Sequence, residues 1–341
     1  MQKSLDTILT YSQIVIVTLL VFRLGSLKQI PRNVAYIVLI HYSTYTKLAK
    51  LVIVTGASSG IGKKTVMRLL ESGYQVIGLA RRFDKLAAEQ LQPSHKIQSN
   101  GSYKPTYVPL EFDIAKPKVF TEVIDRIVSI TDGSEIYGLV NNAGYLEPGA
   151  IEDLTMTNLR DQFETNFFGH VDFTKRVLAL MVERNQSGGR IINVSSFAGL
   201  ISLPLIGAYA ASKHALEAVF DALRVELWNT DIKVITINPG VINTGIYDIL
   251  KHKTEDILNI KNVNKTRFVV AYNRYMLNSD YYTGLNPISV ANVILKAVSS
   301  LKPHHRYLVG SRKEILMIRL LPYLPEKLLF TLLANRIHSR T

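Results

Sequence analysis

The chain has no cysteine. That removes disulfide scaffolds, thiolate zinc sites and cysteine nucleophiles together, and it leaves the redox compartment unmarked. It has no low-complexity tract and no fixed-period repeat, which excludes solenoids and compositionally disordered chains. It also lacks an uninterrupted apolar run of the roughly 18 to 20 residues that a membrane-spanning helix needs. Acidic residues are scarce beside basic ones, 27 against 40, for a formal net charge of +13. An excess of that size suits nucleic acid, an anionic membrane surface or phosphorylated ligands, and does not choose among them. What is present is 341 residues, 47% hydrophobic and 20% charged. Such a chain buries a sizeable core, and one α/β domain with extensions is expected.

The first fifty residues hold two shorter apolar runs, Ile14 to Phe22 and Val34 to Ile40, flanked by Lys3, Arg23, Lys28 and Arg32. Three readings stand: a marginal membrane segment or uncleaved signal-anchor, a tail packed on the domain, or residues ahead of the true start. Residues 1–47 are therefore set apart as an N-terminal extension. The location expected is cytoplasmic, or membrane-associated through this segment.

From Leu51 the pattern sharpens. Leu51 to Val54 is a short continuous apolar run, as in a strand covered on both faces. It leads into Thr55-Gly56-Ala57-Ser58-Ser59-Gly60-Ile61-Gly62, and a helical pattern through Val66, Leu69 and Leu70 follows. Strand, glycine turn and helix together present backbone N–H groups and a positive helix terminus to a pyrophosphate. Gln75 to Ala80 reads as a second strand ending at Arg81 and Arg82. An acid at that place accepts from a free ribose 2′-hydroxyl, whereas arginine pairs with a 2′-phosphate, so NADP is favoured over NAD. The alternative is a pair of solvated arginines.

Further strands are expected at Tyr107 to Phe112, Tyr137 to Val140, Arg190 to Val194, Ile232 to Ile237 and Arg306 to Val309. The first leads to Asp113, either an adenine contact or a turn cap, and the second to Asn141-Asn142-Ala143-Gly144, a nucleotide floor or an ordinary turn. Val119 to Ile130 and Val290 to Val298 read as helices, and a long helical pattern from Leu159 to Leu180 carries Asn166. Pro93 to Pro105 reads as a surface loop. Ser196 follows the fifth strand, and Val194 stands where a hydrolase elbow has glycine, so Ser196 is read as a hydrogen-bonding group rather than a nucleophile. Tyr209 and Lys213 lie four residues apart, so on a helix the phenol and ammonium share a face. A cation so placed favours the phenolate and makes the tyrosine a usable acid and base near neutral pH.

Thr55-Gly56-x-x-x-Gly60-x-Gly62, Asn141-Asn142-Ala143-Gly144, Asn166, Ser196, Tyr209-x-x-x-Lys213 and Pro239-Gly240 resemble, in order and spacing, the classical short-chain dehydrogenases/reductases. The resemblance spans residues 48–310. It implies a Rossmann-type, doubly wound parallel β-sheet of about seven strands with helices on both faces. It also implies that Tyr209 is the general acid in reduction and the base in oxidation, that Ser196 holds the carbonyl oxygen, and that Lys213 tunes the phenol and binds the nicotinamide ribose. Asn166 would support a water in the proton path. Cofactor contacts carried over on the same grounds are Gly56, Ser58, Ser59, Gly60, Ile61, Gly62, Arg81, Asp113, Asn142, Ala143 and Gly144. Tyr209, Lys213, Pro239, Gly240, Val241 and Thr244 complete them. No metal is implied.

Residues 245–287 occupy the place of the family's variable substrate lid, with Tyr247, Phe268, Tyr272, Tyr275, Tyr281 and Tyr282 and few helix or strand signals. Those aromatics imply a large, mostly apolar ketone or alcohol as small-molecule partner, or simply pack the lid on the body. Beyond residue 310 the chain departs from the minimal pattern. The extension at 311–341 alternates apolar stretches with Arg312, Lys313, Arg319, Lys327 and Arg336. It suits a membrane surface, a helix closing the substrate pocket, or an oligomer interface. A homodimer or homotetramer is expected, and nucleic acid is not, since no reading helix or aromatic platform accompanies the charge. The leading expectation is an NADP(H)-dependent oxidoreductase acting on a hydrophobic ketone or secondary alcohol of steroid, retinoid or long-chain lipid type. The alternative is a catalytically silent NADP(H) sensor that binds a partner.

Overall fold

A computed structural model describes residues 50–83, 107–131, 135–183, 188–259, 268–273 and 284–338, all within the unit Leu48–Thr341. The apolar runs before residue 47, the loop expected at 93–105, and Tyr275, Tyr281 and Tyr282 lie outside the described residues. Strands β1 (Leu51–Thr55), β2 (Gln75–Ala80), β3 (Tyr107–Glu111), β4 (Ile136–Asn141), β5 (Arg190–Val194), β6 (Lys233–Pro239) and β7 (Arg306–Val309) form one sheet in the order β3-β2-β1-β4-β5-β6-β7. Every pairing is parallel. Parallel strands need crossovers, which place helices on both faces and explain the continuous apolar runs.

Among the described residues the helices longer than one turn are α1 (Gly60–Glu71), α2 (Phe120–Thr131), α3 (Met156–Phe163), α4 (Gly169–Glu183), α5 (Gly207–Glu226), α6 (Ile246–Asn259), α7 (Pro287–Ser299), α8 (Arg312–Leu320) and α9 (Glu326–His338). Side chains alternate across each strand and so build two cores. Ile53, Leu139 and Ile191 meet Phe120, Phe173 and Phe220 from α2, α4 and α5 on one face. Val52, Val140 and Ile192 meet Val66 and Leu69 from α1 and Val290 and Ile294 from α7 on the other. Burying each of those fully enclosed phenylalanines stabilises the fold by roughly 1.5–3 kcal/mol.

Two elements differ from the sequence expectation. The helical stretch that carries Asn166 is not one helix, because a π-turn at Glu164–Phe168 separates α3 from α4. An extra residue in the turn rotates Asn166 inward, and such turns recur at functional sites. The lid, expected to be poor in regular structure, contains the 14-residue α6. Tyr272 in the lid is fully buried and donates to Asp153 Oδ2 at 2.9 Å while accepting from Ala150 N at 2.6 Å. It therefore packs the lid onto the body rather than facing a ligand. β1 and β4 are neighbours although β2 and β3 intervene in sequence. The chain reverses its winding there, and the crevice at the carboxyl ends of these strands is where such sheets hold ligands.

Candidate active site

The crevice is built first from β1 and β4. Thr55 Oγ1 accepts from the amides of Asn142 at 2.9 Å and Ala143 at 3.0 Å, and Asn142 Nδ2 donates to the Thr55 carbonyl at 3.0 Å. Asn142 thus braces the two strand ends, so its side chain serves the scaffold. The turn between β1 and α1 needs its glycines. Gly56 sits at φ +67°, and a Cβ there would lie 2.9 Å from Ala143 Cα; a Cβ on Gly62 would overlap the Gly56 carbonyl. The space they leave lies at the start of α1, where no side chain caps the first amides and the first turn holds no acid. A helix terminus in that condition accepts an external anion, and the cradle fits the pyrophosphate of a dinucleotide. Ser58 is partly buried beside it, Ser59 is exposed, and a Cβ on Gly60 would meet Thr244 at 3.4 Å, so Thr244 stands over the turn.

Arg81 and Arg82 are exposed at the end of β2. The Tyr145 hydroxyl across the crevice is pushed up to about 12 by burial and by Glu147 and Asp161, while the Arg81 guanidinium opposes them. Asp113, after β3, accepts from Ala115 N at 3.1 Å and lies 3.7 Å from Lys116 Nζ. It caps its turn.

Ser196, Tyr209 and Lys213 meet at the far end of the crevice. Ser196 follows β5, accepts from Ala198 N at 3.1 Å and shares the cavity with the Tyr209 hydroxyl. Tyr209 lies in the first turn of α5. Lys213, one turn on, is buried and donates to the Val194 carbonyl at 2.9 Å. Its ammonium lies 5.8 Å from the centre of the Tyr209 ring. Phenol and ammonium share a helix face as the spacing predicts, with the ammonium anchored on the Val194 carbonyl beside the ring. Burial pushes the phenol up, and Ser196 works the other way. Burial pulls Lys213 down to about 8, with the Glu217 carboxylate opposing. Asn166 is fully buried, accepts from Tyr145 N at 3.1 Å, and donates to Tyr145 O at 3.0 Å and Ser212 Oγ at 3.2 Å. It ties the π-turn to β4 and α5. A Cβ on Gly144 would press on its Oδ1 at 3.1 Å.

Three groups that the sequence did not single out complete the arrangement. Glu217, one turn beyond Lys213, accepts from Asn238 Nδ2 and Arg306 Nη1, each at 2.5 Å, and Asn238 Nδ2 also donates to the Ser196 carbonyl at 3.0 Å. This buried network links β6, β7 and α5 beneath the site. The repeated four-residue spacing Tyr209, Lys213, Glu217 was its only local signal. His170, fully buried on α4, donates from Nε2 to the Ala143 carbonyl at 2.7 Å, and its Nδ1 is unpartnered. Burial pulls it down to about 3, with the Lys213 ammonium adding to that, so it stays neutral. Glu314 comes from α8. Its Oε2 accepts from Ser311 N at 2.8 Å, and its Oε1 accepts from Val241 N at 3.1 Å in the turn after Pro239-Gly240. Ser311-x-x-Glu314 is legible as a capping box, but the reach to Val241 is not.

Ile61, Asn142, Gly144, Ser196, Tyr209 and Lys213 line one cavity of about 430 Å³, joined by Pro239, Gly240, Val241 and Thr244. Gly56, Ser58, Ser59, Gly60, Gly62, Ala143 and Asn166 form the structure around it, and Arg81 and Asp113 stand apart at the ends of β2 and β3. The other walls of the cavity are mostly apolar, with Leu146, Phe197, Ile201 and Leu205 from the body and Met317, Ile318 and Leu333 from α8 and α9, and with Tyr145, Ser195 and Glu314 among them. The C-terminal extension therefore contributes directly to the cavity. No helix among the described residues is long and apolar enough to cross a membrane.

Residues 50–255 match the short chain dehydrogenase family. The chain is 31% identical to the NADPH-dependent 3-dehydrocapnine reductase of Ornithobacterium rhinotracheale over 81% of its own length and 93% of the relative's. It is 30% identical to the 3-ketodihydrosphingosine reductase of Bacteroides thetaiotaomicron, over 82% and 95%. Among solved structures, a short-chain dehydrogenase from Streptomyces avermitilis superimposes with a TM-score of 0.62 at 26% identity, covering 80% of this chain and 93% of that one. With a parallel seven-stranded sheet, a glycine cradle at its switch point and Ser196, Tyr209 and Lys213 beside it, the chain belongs to the short-chain dehydrogenase family of oxidoreductases.

Proposed function

We propose that this protein is an NADP(H)-dependent oxidoreductase acting on a hydrophobic ketone or secondary alcohol. The observation that carries the reading is that Ser196, Tyr209 and Lys213 line one cavity whose remaining walls are mostly apolar. Bound nicotinamide cofactor supplies or accepts the hydride. Gly56 to Gly62 and the first turn of α1 would hold its pyrophosphate, Arg81 the 2′-phosphate that distinguishes NADP, and Asp113 the adenine edge. Val241, Thr244 and Lys213 line the same cavity and would face the nicotinamide ribose and carboxamide, with the Val241 amide itself already donating to Glu314.

The chain's own groups manage the proton. Ser196 orients the reacting oxygen, and the Tyr209 hydroxyl donates to it in reduction or accepts from it in oxidation. The burial that pushes the phenol up keeps it protonated and ready to donate. Lys213, protonated below its value of about 8, supplies positive charge beside the ring. Water is excluded by Phe197, Ile201 and the C-terminal residues Met317, Ile318 and Leu333. The catalytic unit so defined runs from about residue 48 to 310, with the extension at 311–341 serving as a substrate wall. The two relatives whose names specify reductases of 3-dehydrocapnine and 3-ketodihydrosphingosine support ketone reduction, and one is named as NADPH-dependent. The test is a panel of carbonyl compounds of increasing chain length with NADPH and with NADH. Turnover should rise with apolar length and favour NADPH. Tight NADPH binding with no hydride transfer to any apolar ketone would sink the proposal.

A further inference from the structure

The two C-terminal helices carry apolar side chains on both faces. Inward, Ile318, Leu329 and Leu333 pack with Phe197 and Ile201. Outward, Leu316, Leu320, Tyr323, Leu328, Phe330 and Leu332 are exposed, Tyr323 to 83%. Single exposed leucines are ordinary on a protein surface, but with Met317 seven exposed large apolar side chains between positions 316 and 332 are not. Their charged neighbours are mostly basic, with Arg312, Lys313, Arg319 and Lys327 exposed against one exposed acid, Glu326. Leu316 and Leu320 form a stripe on α8, Arg312 lies one turn before Leu316, Arg319 lies beside Leu320, and Lys313 and Lys327 are exposed as well. The acid of α8, Glu314, is turned inward onto the Val241 amide and offsets none of this charge at the surface.

Basic and apolar side chains interleaved on an outer face match the boundary layer of an anionic bilayer, where leucine and phenylalanine enter the acyl edge and arginine and lysine meet headgroup phosphates. At 9 and 13 residues, α8 and α9 span roughly 14 and 20 Å, too short to cross roughly 30 Å of hydrocarbon, so they would lie in the membrane plane. Met317 lines the cavity and is 48% exposed, so the cavity wall reaches this same surface.

We propose that the outer face of α8 and α9 docks in-plane on an anionic lipid bilayer and turns the cavity toward it. Docking itself stands apart from turnover; the corollary, that an apolar substrate enters from the lipid, rests on the function proposed above. Because the chain has no cysteine, Tyr323→Cys in the full chain gives one attachment point for an environment-sensitive fluorophore. Its emission should shift to the blue on mixing with vesicles of phosphatidylcholine and phosphatidylserine, less in high salt, and little with phosphatidylcholine alone. Adding Leu316→Glu and Leu320→Glu should abolish the shift while NADPH still raises the melting temperature, which shows that the variant is folded. A control label at Leu301→Cys, in the connection entering the amino end of β7 whereas α8 leaves its carboxyl end, should stay unshifted. Three results would overturn the proposal: no shift at position 323, equal shifts at 323 and 301, or a shift that grows with protein concentration without vesicles. The second means that residues 1–47 tether the chain without this face, and the third that a second copy covers it.

Discussion

Replacing Glu217 by glutamine should move the pH dependence of the enzyme in a direction fixed by the geometry around Lys213. The ammonium is buried on the Val194 carbonyl and titrates at about 8, lowered by burial and held up by the Glu217 carboxylate one turn away. Glutamine keeps the volume and an acceptor for Asn238, and removes only the charge. A full charge roughly 6 Å away is worth about 2–3 kcal/mol at an effective dielectric of about 20, and 1.36 kcal/mol moves a pKa by one unit. Arg306 at 2.5 Å neutralises part of that charge; with about half the interaction left, roughly 1.4 kcal/mol, the change is about one unit. Removing the anion favours the neutral amine, so Lys213 in Glu217→Gln should lose its proton near pH 7. The assay is kcat/KM for NADPH against pH, which reports the free enzyme. Its alkaline limb should fall near pH 8 in the parent and about one unit lower in the variant. Breaking a buried ion pair also costs about 3–5 kcal/mol, reduced here because Arg306 keeps Asp221 at 3.3 Å and Asn238 at 3.2 Å. Thermal melts at each pH separate that loss from the catalytic effect. An unmoved or raised limb in the folded variant would refute the assignment of the charge on Lys213 to Glu217.

Tyr209→Phe should lower turnover by about 100-fold or more while the NADPH dissociation constant stays within twofold; equal loss of both, by titration calorimetry and steady-state kinetics, would make Tyr209 structural. Arg81→Asp should reverse cofactor preference by removing the cation for the 2′-phosphate and adding repulsion, seen as the ratio of kcat/KM for NADPH and NADH. His170 titrates at about 3 in the fold against 6.5 when unfolded. The unfolded chain therefore takes up the proton first, and its contribution, complete above pH 6.5, is lost at up to about 1.4 kcal/mol per pH unit as pH falls toward 3. Denaturant titrations at pH 7 and 5 should show a smaller acid loss in His170→Asn than in the parent, and equal losses would count against a buried neutral imidazole.

The order of strands, the glycine turn and the candidate catalytic set were readable in the sequence because each is written locally. A buried parallel strand needs a continuous apolar run, as at Leu51 to Val54, and a backbone that passes close to itself needs glycine, as at Gly56 and Gly62. Tyr209 and Lys213 at helical spacing are an ordinary pair alone, and become a candidate site only in company with Ser196, Asn166 and the turn at Gly56 to Gly62. What they bond to did not follow from that spacing, because side-chain partners are chosen by elements far away in sequence. Ser196 comes from β5, Val194 takes the ammonium, and the turn that aims Asn166 inward is a local deviation that no periodicity marks. Glu217, His170 and Glu314 read as ordinary helix residues until packing places them. A carboxylate at the third position of a C-terminal helix is a cap by sequence, and only the fold brings it to the Val241 amide. The C-terminal extension is the clearest division. Its composition predicted an amphipathic, basic segment with three uses, and tertiary structure alone turned one face into a wall of the cavity and left the other exposed.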